Sequence, residues 1–147
     1  MVHDMARSKG GNLTIRMDAA TLARLDTLHR RVGQTKSRLA HRYIAEGIEM
    51  EDHPGILFRD GPGGRRPGLA AGPDVWQDIG VLLGSGKKGE AAIRHTADWL
   101  SVPHEQVRAA IGYYATHKEE IDGWIRRNDE EAEAAEAAWL REQELLA

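Results

Sequence analysis

A chain of 147 residues has room for one ordinary domain or two small ones, and its 41% hydrophobic and 29% charged content is that of a globular protein rather than a disordered or membrane-spanning one. It has no cysteine, which excludes disulfides, thiolate metal sites and cysteine nucleophiles, and no apolar run approaches the roughly 18 residues that a membrane helix needs. The net charge of −3 divides into +4 over residues 1–50, −1 over 51–117 and −6 over 118–147, so a basic head and an acidic tail face partners of opposite character.

Residues 1–11 mix charge, serine and Gly10-Gly11, and are expected to form a flexible arm. They lack the apolar stretch of a secretory signal, so a cytoplasmic location is expected. From Asn12 to Met17 polar and apolar residues alternate strictly. A period of two predicts a strand with Leu13, Ile15 and Met17 on one face and Asn12, Thr14 and Arg16 on the other. Asp18 then reads as a helix N-cap, and Leu22, Leu25, Leu28 and Val32 recur at helical spacing until Gly33. Thr35 caps a second helix whose buried stripe is Leu39, Tyr43, Ile44 and Ile48. One strand and two helices in about 40 residues make too small a core without oligomerisation, and a lone strand leaves its backbone groups unpaired. The simplest remedy is a homodimer in which the strand pairs with its own copy. The paired ribbon has the width of the DNA major groove.

The residues Leu13-Thr14-Ile15-Arg16-Met17-Asp18, then Leu22 and Leu25, then Gly33-Gln34-Thr35-Lys36-Ser37-Arg38-Leu39 resemble the CopG/Arc/MetJ-type ribbon-helix-helix superfamily over residues 12–50. The resemblance implies that Asn12, Thr14 and Arg16 read bases of double-stranded operator DNA. It implies equally that Thr35, Lys36 and Ser37 clamp a phosphate. The chemistry of the side chains agrees: arginine presents a fork to guanine, asparagine suits adenine, and threonine serves with its hydroxyl or methyl. A hydroxyl, an ammonium and unpaired amides at a helix start suit a phosphate. Arg7 and Lys9 of the arm are expected to add backbone contacts. Ala40, His41 and Arg42 depart from many members and leave the packing of the second helix open.

Pro54-Gly55 breaks the second helix, which places a boundary at residues 50–54. Ile56-Leu57-Phe58 is a short apolar strand, Asp60-Gly61-Pro62-Gly63-Gly64 is turn chemistry, and Arg65 to Ala70 returns as a second strand. The glycine spacing does not fit a phosphate-binding loop. Three helices are expected next. The first is capped by Asp74, with Val75, Ile79 and Leu82 inward. The second runs from Glu90 to Leu100 with Ile93, Ala97 and Leu100 inward, and the third from His104 to Tyr114 with Val107, Ala110, Ile111 and Tyr114 inward. The last two have helix-turn-helix dimensions. In the third, Gln106 and Arg108 stand beside Glu105, a poor surface for phosphate, which favours packing or partner binding.

His53-Pro54-Gly55-Ile56, Gly64-Arg65-Arg66, Pro73-Asp74-Val75-Trp76, Val107-Arg108-Ala109-Ala110 and Tyr113-Tyr114 resemble the small trihelical domains of VapB-type antitoxins, which accompany PIN-like ribonuclease toxins. The resemblance implies toxin binding, dimerisation or a second DNA contact.

From Lys118 one long acidic helix is expected, with Ile121, Ile125, Asn128, Ala132, Ala135, Trp139, Glu142 and Leu146 on a thin seam. Beyond Asn128 that seam has nothing of its own small domain to cover it. Either it pairs with its dimer mate, or Trp124, Trp139, Leu140 and Leu145 anchor it on a toxin.

Seven histidines occur without an H-E-x-x-H or comparable frame, so no metal and no cofactor is expected. His95 and Asp98 lie one helical turn apart but read as an exposed helix contact, and Glu119-Glu120 sits in a solvated run. No catalytic residue is assigned. The expected fold is mainly α: a dimeric ribbon-helix-helix domain over 12–50, a β-hairpin plus trihelical helix-turn-helix-like domain over 54–117, and an acidic helix over 118–147. The expected function is that of an antitoxin and autorepressor. A regulator without a toxin and a non-DNA-binding assembly adaptor are the alternatives.

Overall fold

The computed structural model describes residues 10–147; the arm residues 1–9, with Arg7 and Lys9, lie outside the described part. The fold is mainly helical, with six helices and one two-stranded antiparallel sheet among the described residues. The chain divides into two compact units, residues 1–43 and 44–147.

The first unit holds α1 (Ala19–Val32) and the start of α2 (Lys36–Asp52). Local chemistry sets both ends of α1. The Asp18 carboxylate accepts the Thr21 amide at 3.0 Å. Gly33 takes the left-handed conformation, φ 70°, in which its amide returns to the His29 carbonyl at 3.0 Å. The Thr35 hydroxyl oxygen accepts the Arg38 amide at 3.2 Å and so starts α2. His29 Nδ1 meets the Gln34 carbonyl at 2.6 Å across the connecting turn.

Residues 10–18 belong to neither helix nor strand. The strand expected at 12–17 is therefore not formed within this chain. A strand exists through a ladder, and the ladder of named strands in the described chain joins two other segments. Leu13 and Ile15 are 75% and 50% exposed. No residue of α1 is buried, and Leu39 alone is buried in α2. Tyr43, Ile44 and Ile48, expected on the buried stripe of α2, are exposed.

The second unit begins with the last turns of α2 and continues through β1 (Ile56–Arg59), β2 (Arg66–Leu69), α3 (Val75–Gly84), α4 (Gly89–Leu100), α5 (His104–Thr116) and α6 (Lys118–Leu146). The division falls earlier than Pro54 because side chains of α2 engage this unit: Arg65 donates to both carboxylate oxygens of Glu46, and His117 meets Glu49. β1 and β2 pair with Ile56 opposite Leu69 and Arg59 opposite Arg66.

The Arg59 side chain then folds across Gly68. A Cβ there would stand 2.2 Å from the guanidinium, so glycine is what the approach requires. Arg59 donates to the carbonyls of Gly72 (2.9 Å) and Pro73 (3.0 Å) and to the Asp74 carboxylate (3.1 Å). Arg66 Nε lies 2.7 Å from the other Asp74 oxygen. Two arginines from the two strands thus fix the turn that leads into α3.

Ile56, Leu69, Val75, Ile79, Ala110, Tyr113 and Ile121 form one core cluster; Ile93, Ala97, Val102 and Val107 form another, and Leu82 and Ile111 pack against both. In α5 Val107 and Ala110 are buried as expected and Ile111 and Tyr114 pack against the core, but the deepest place falls to Tyr113. Tyr113 is buried, whereas Tyr114 is half-buried and donates its hydroxyl to Asp122 at 2.7 Å. Both tyrosines fit helical spacing from Ala110, and the core claims the one at i+3. Ser101, at φ 55°, ends α4, and a three-residue turn leads into α5. α6 is one continuous helix: Ile121 is buried, Ile125 packs on the core, and every residue from Arg126 to Ala137 is exposed. No described helix is long and apolar enough to cross a membrane.

Candidate functional site

The first unit presents its polar candidates openly. Asn12, Thr14 and Arg16 are all exposed, as are Thr35, Lys36 and Ser37. The ladder that would align the first three is not part of this chain. The second three sit where the cap geometry puts them, at the start of α2. Thr35 has committed one lone pair of its hydroxyl to the Arg38 amide and keeps its proton for an acceptor.

Lys36 is engaged: its ammonium lies 2.8 Å from Asp26, which also pairs with Arg30. Those bonds, the one to Lys36 first, hold the Asp26 carboxyl below its ordinary range. The pair is solvent-exposed, and exposed pairs are worth little, so a phosphate can compete for the lysine. Arg42 reaches Gln34 and Tyr43 and lies over the Tyr43 ring. Between α1 and Tyr43 runs an open groove of about 650 Å³ with Leu25, Leu28 and Tyr43 among its lining and Arg24 and Arg31 at its sides.

In the second unit the helix-turn-helix candidates are largely consumed by packing. Val107, Ala110 and Tyr113 turn one face of α5 into core. Arg108 donates to both oxygens of Glu90 at 2.6 and 2.7 Å, and Gln106 is half-buried. His95 stacks against Trp99 with ring centroids 6.0 Å apart.

The tail residues separate into two kinds. Trp124 is half-buried, with the Arg127 guanidinium 4.0 Å above its ring and that of Arg66 at 5.6 Å; it serves its own chain. Trp139, Leu140 and Leu145 are 56%, 49% and 87% exposed. They are spread over the last two turns of α6 and, at positions i, i+1 and i+6, over more than one of its faces.

Two features escaped sequence reasoning. Asp78 is fully buried in α3, neither of its oxygens has a hydrogen-bond partner, and burial raises its carboxyl to about 7. Its position, one residue before the core Ile79, was the available signal. Glu49, His53 and His117 converge from α2, the loop after it and the junction of α5 with α6. The Glu49-x-x-x-His53 spacing on one helix face was visible; the arrival of His117 was not. Comparison of the chain with protein families, curated proteins and solved structures finds no match.

Proposed function

We propose that the chain is a homodimeric DNA-binding repressor of the ribbon-helix-helix kind, and that its acidic C-terminal helix captures a protein partner in the manner of an antitoxin with its toxin. The observation that carries this reading is the exposure of the apolar set in the first unit. Leu13, Ile15, Leu22 and Val32 are all exposed, and Leu39 is the only buried residue described before residue 44.

Burying one leucine contributes about 1.5–3 kcal/mol. Fixing the backbone of two or three residues costs as much. Residues 10–43 therefore need a second surface, and a second copy supplies one of the same character. Pairing residues 12–17 of two copies as a ribbon covers Leu13, Ile15 and Met17 and leaves Asn12, Thr14 and Arg16 outward. The open groove along α1 gives the mate's apolar side chains a floor. The +4 charge of residues 1–50 suits phosphate, and a two-fold protein reads an inverted repeat. For the partner, the supporting observation is the exposure of Trp139, Leu140 and Leu145 on a segment of charge −6. Such a segment suits a basic protein surface, as on a PIN-like ribonuclease.

The test compares two variants on an inverted-repeat site selected from random sequence and on unrelated DNA. Arg16→Ala should lose about 1–3 kcal/mol on the selected site and much less elsewhere. Lys36→Ala should weaken both alike and reduce the salt slope by about 1. Equal losses from Arg16→Ala on both DNAs would refute base reading.

A further inference from the structure

We propose that Glu49, His53 and His117 bind one divalent transition-metal ion of the zinc type, joining the end of α2 to the junction of α5 and α6. The proposal is independent of the DNA reading, which uses none of these residues. One ligand atom from each lies within 4.8 Å of the others. Glu49 Oε1 is 2.9 Å from His117 Nε2, and Glu49 Oε2 is 3.8 Å from His53 Nε2. Each carboxylate oxygen thus faces one ring nitrogen, and a small closure brings the ligand atoms to the roughly 3.3 Å that separates neighbours around a tetrahedral zinc with bonds of about 2.0–2.1 Å. Two imidazoles and one carboxylate suit Zn²⁺ and its first-row neighbours rather than Mg²⁺ or Ca²⁺, which prefer oxygen alone. The fourth position is left for water or a donor from outside.

His117 Nδ1 lies 3.1 Å from the Tyr113 carbonyl and 2.8 Å from the Thr116 hydroxyl oxygen. With its proton on Nδ1 the neutral ring offers the Nε2 lone pair to a metal beside the Glu49 oxygen at 2.9 Å; with its proton on Nε2 it donates to that oxygen instead. The first arrangement, a ring N–H turned to the backbone behind the ligand, is the usual support of a metal-bound histidine.

The rings are also held in place. His117 stacks on the buried Tyr113 with centroids 4.0 Å apart and planes at 6°, and His53 meets the same tyrosine edge-on at 5.2 Å. With side chains 33%, 15% and 21% exposed, Glu49, His53 and His117 are shielded but reachable by an ion.

The test uses the full chain without an affinity tag, stripped with a chelator and titrated with Co²⁺ while its visible absorption is followed. One equivalent should bind with the intense bands of low coordination, and Zn²⁺ should displace it. Glu49→Gln and His53→Gln should each strongly weaken uptake, since each removes one of three ligands. His41→Gln and His95→Gln should leave uptake unchanged. Absence of uptake at micromolar Co²⁺ would mean that a proton bridges His117 and Glu49, and would overturn the proposal. Uptake that survives both Glu49→Gln and His53→Gln would overturn it equally. Glu49→Gln preserves shape, so it decides the matter even where a histidine variant fails to fold.

Discussion

Asp78→Asn should stabilise the second unit at neutral and alkaline pH and do little in acid. The Asp78 side chain is fully buried, its two oxygens lack partners, and burial alone lifts its carboxyl from an ordinary 3.8 to about 7. Below pH 3.8 the group is protonated in both folded and unfolded chains. Between 3.8 and about 7 the unfolded chain releases a proton that the folded chain keeps, so stability falls as pH rises. Above 7 the folded state holds a buried charge and the loss is complete. The interval corresponds to roughly 4 kcal/mol at full extent. An asparagine amide carries no charge, and its own unmet hydrogen bonds cost about the same 1–3 kcal/mol as those of the neutral acid, so that penalty cancels in the comparison. Urea unfolding followed by tryptophan fluorescence is suited to the measurement, because all four tryptophans lie within residues 44–147. From about pH 4.5 to about pH 8 the advantage of Asp78→Asn should grow by roughly 3 kcal/mol. Parallel pH profiles for the two proteins would refute the assignment of a neutral, buried acid.

Asp74→Ala removes the shared partner of Arg59 and Arg66 at the entry to α3 and should cost about 3 kcal/mol in the same urea assay, since it leaves Arg66 half-buried without its counter-charge. Gly33→Ala forces an L-residue to φ 70° and should lower helix content by roughly 1 kcal/mol of stability, read by circular dichroism. Ile15→Lys places charge on the face assigned to the ribbon and should convert a dimer to a monomer by sedimentation; a dimer that persists would count against ribbon pairing. On the proposed reading, removal of residues 128–147 should leave operator affinity within about twofold while abolishing capture of a protein partner. Capture that survives the truncation would move the partner site off α6.

Local signals were legible because their causes are local. Asp18, Gly33 and Thr35 mark helix ends through bonds that span three or four residues. The hairpin was readable because apolar Ile56-Leu57-Phe58 precedes Asp60-Gly61-Pro62-Gly63-Gly64, and its ladder runs within a residue of the expected ends. What was not legible depends on distant partners. Tyr113 and Tyr114 are equivalent by spacing, and only the placement of Ile56 and Ile121 selects Tyr113 for the core. Nothing near Arg59 announces that it will bridge to Gly72 and Pro73. His117 gives no sign of Glu49, because the approach is made by the whole second unit folding rather than by any motif.

The exposed apolar residues are distributed unevenly, and the distribution bears on function more than their number. Leu83 and Trp99 stand singly on the second unit, which is ordinary for a protein surface. Leu13, Ile15, Leu22, Val32, Tyr43, Ile44, Ile48 and Met50 crowd into residues 13–50, and Trp139, Leu140, Leu145 and Leu146 into the final nine. Between these segments residues 56–121 cover their own core. A chain selected only to fold would have no reason to leave large side chains clustered at both ends, where exposure risks aggregation. Two separate covering surfaces resolve that cost. The segments also differ in charge, +4 over residues 1–50 against −6 over 118–147, so one surface cannot serve both. On the proposed reading a second copy covers the first through symmetry, and a partner with a basic surface covers the second.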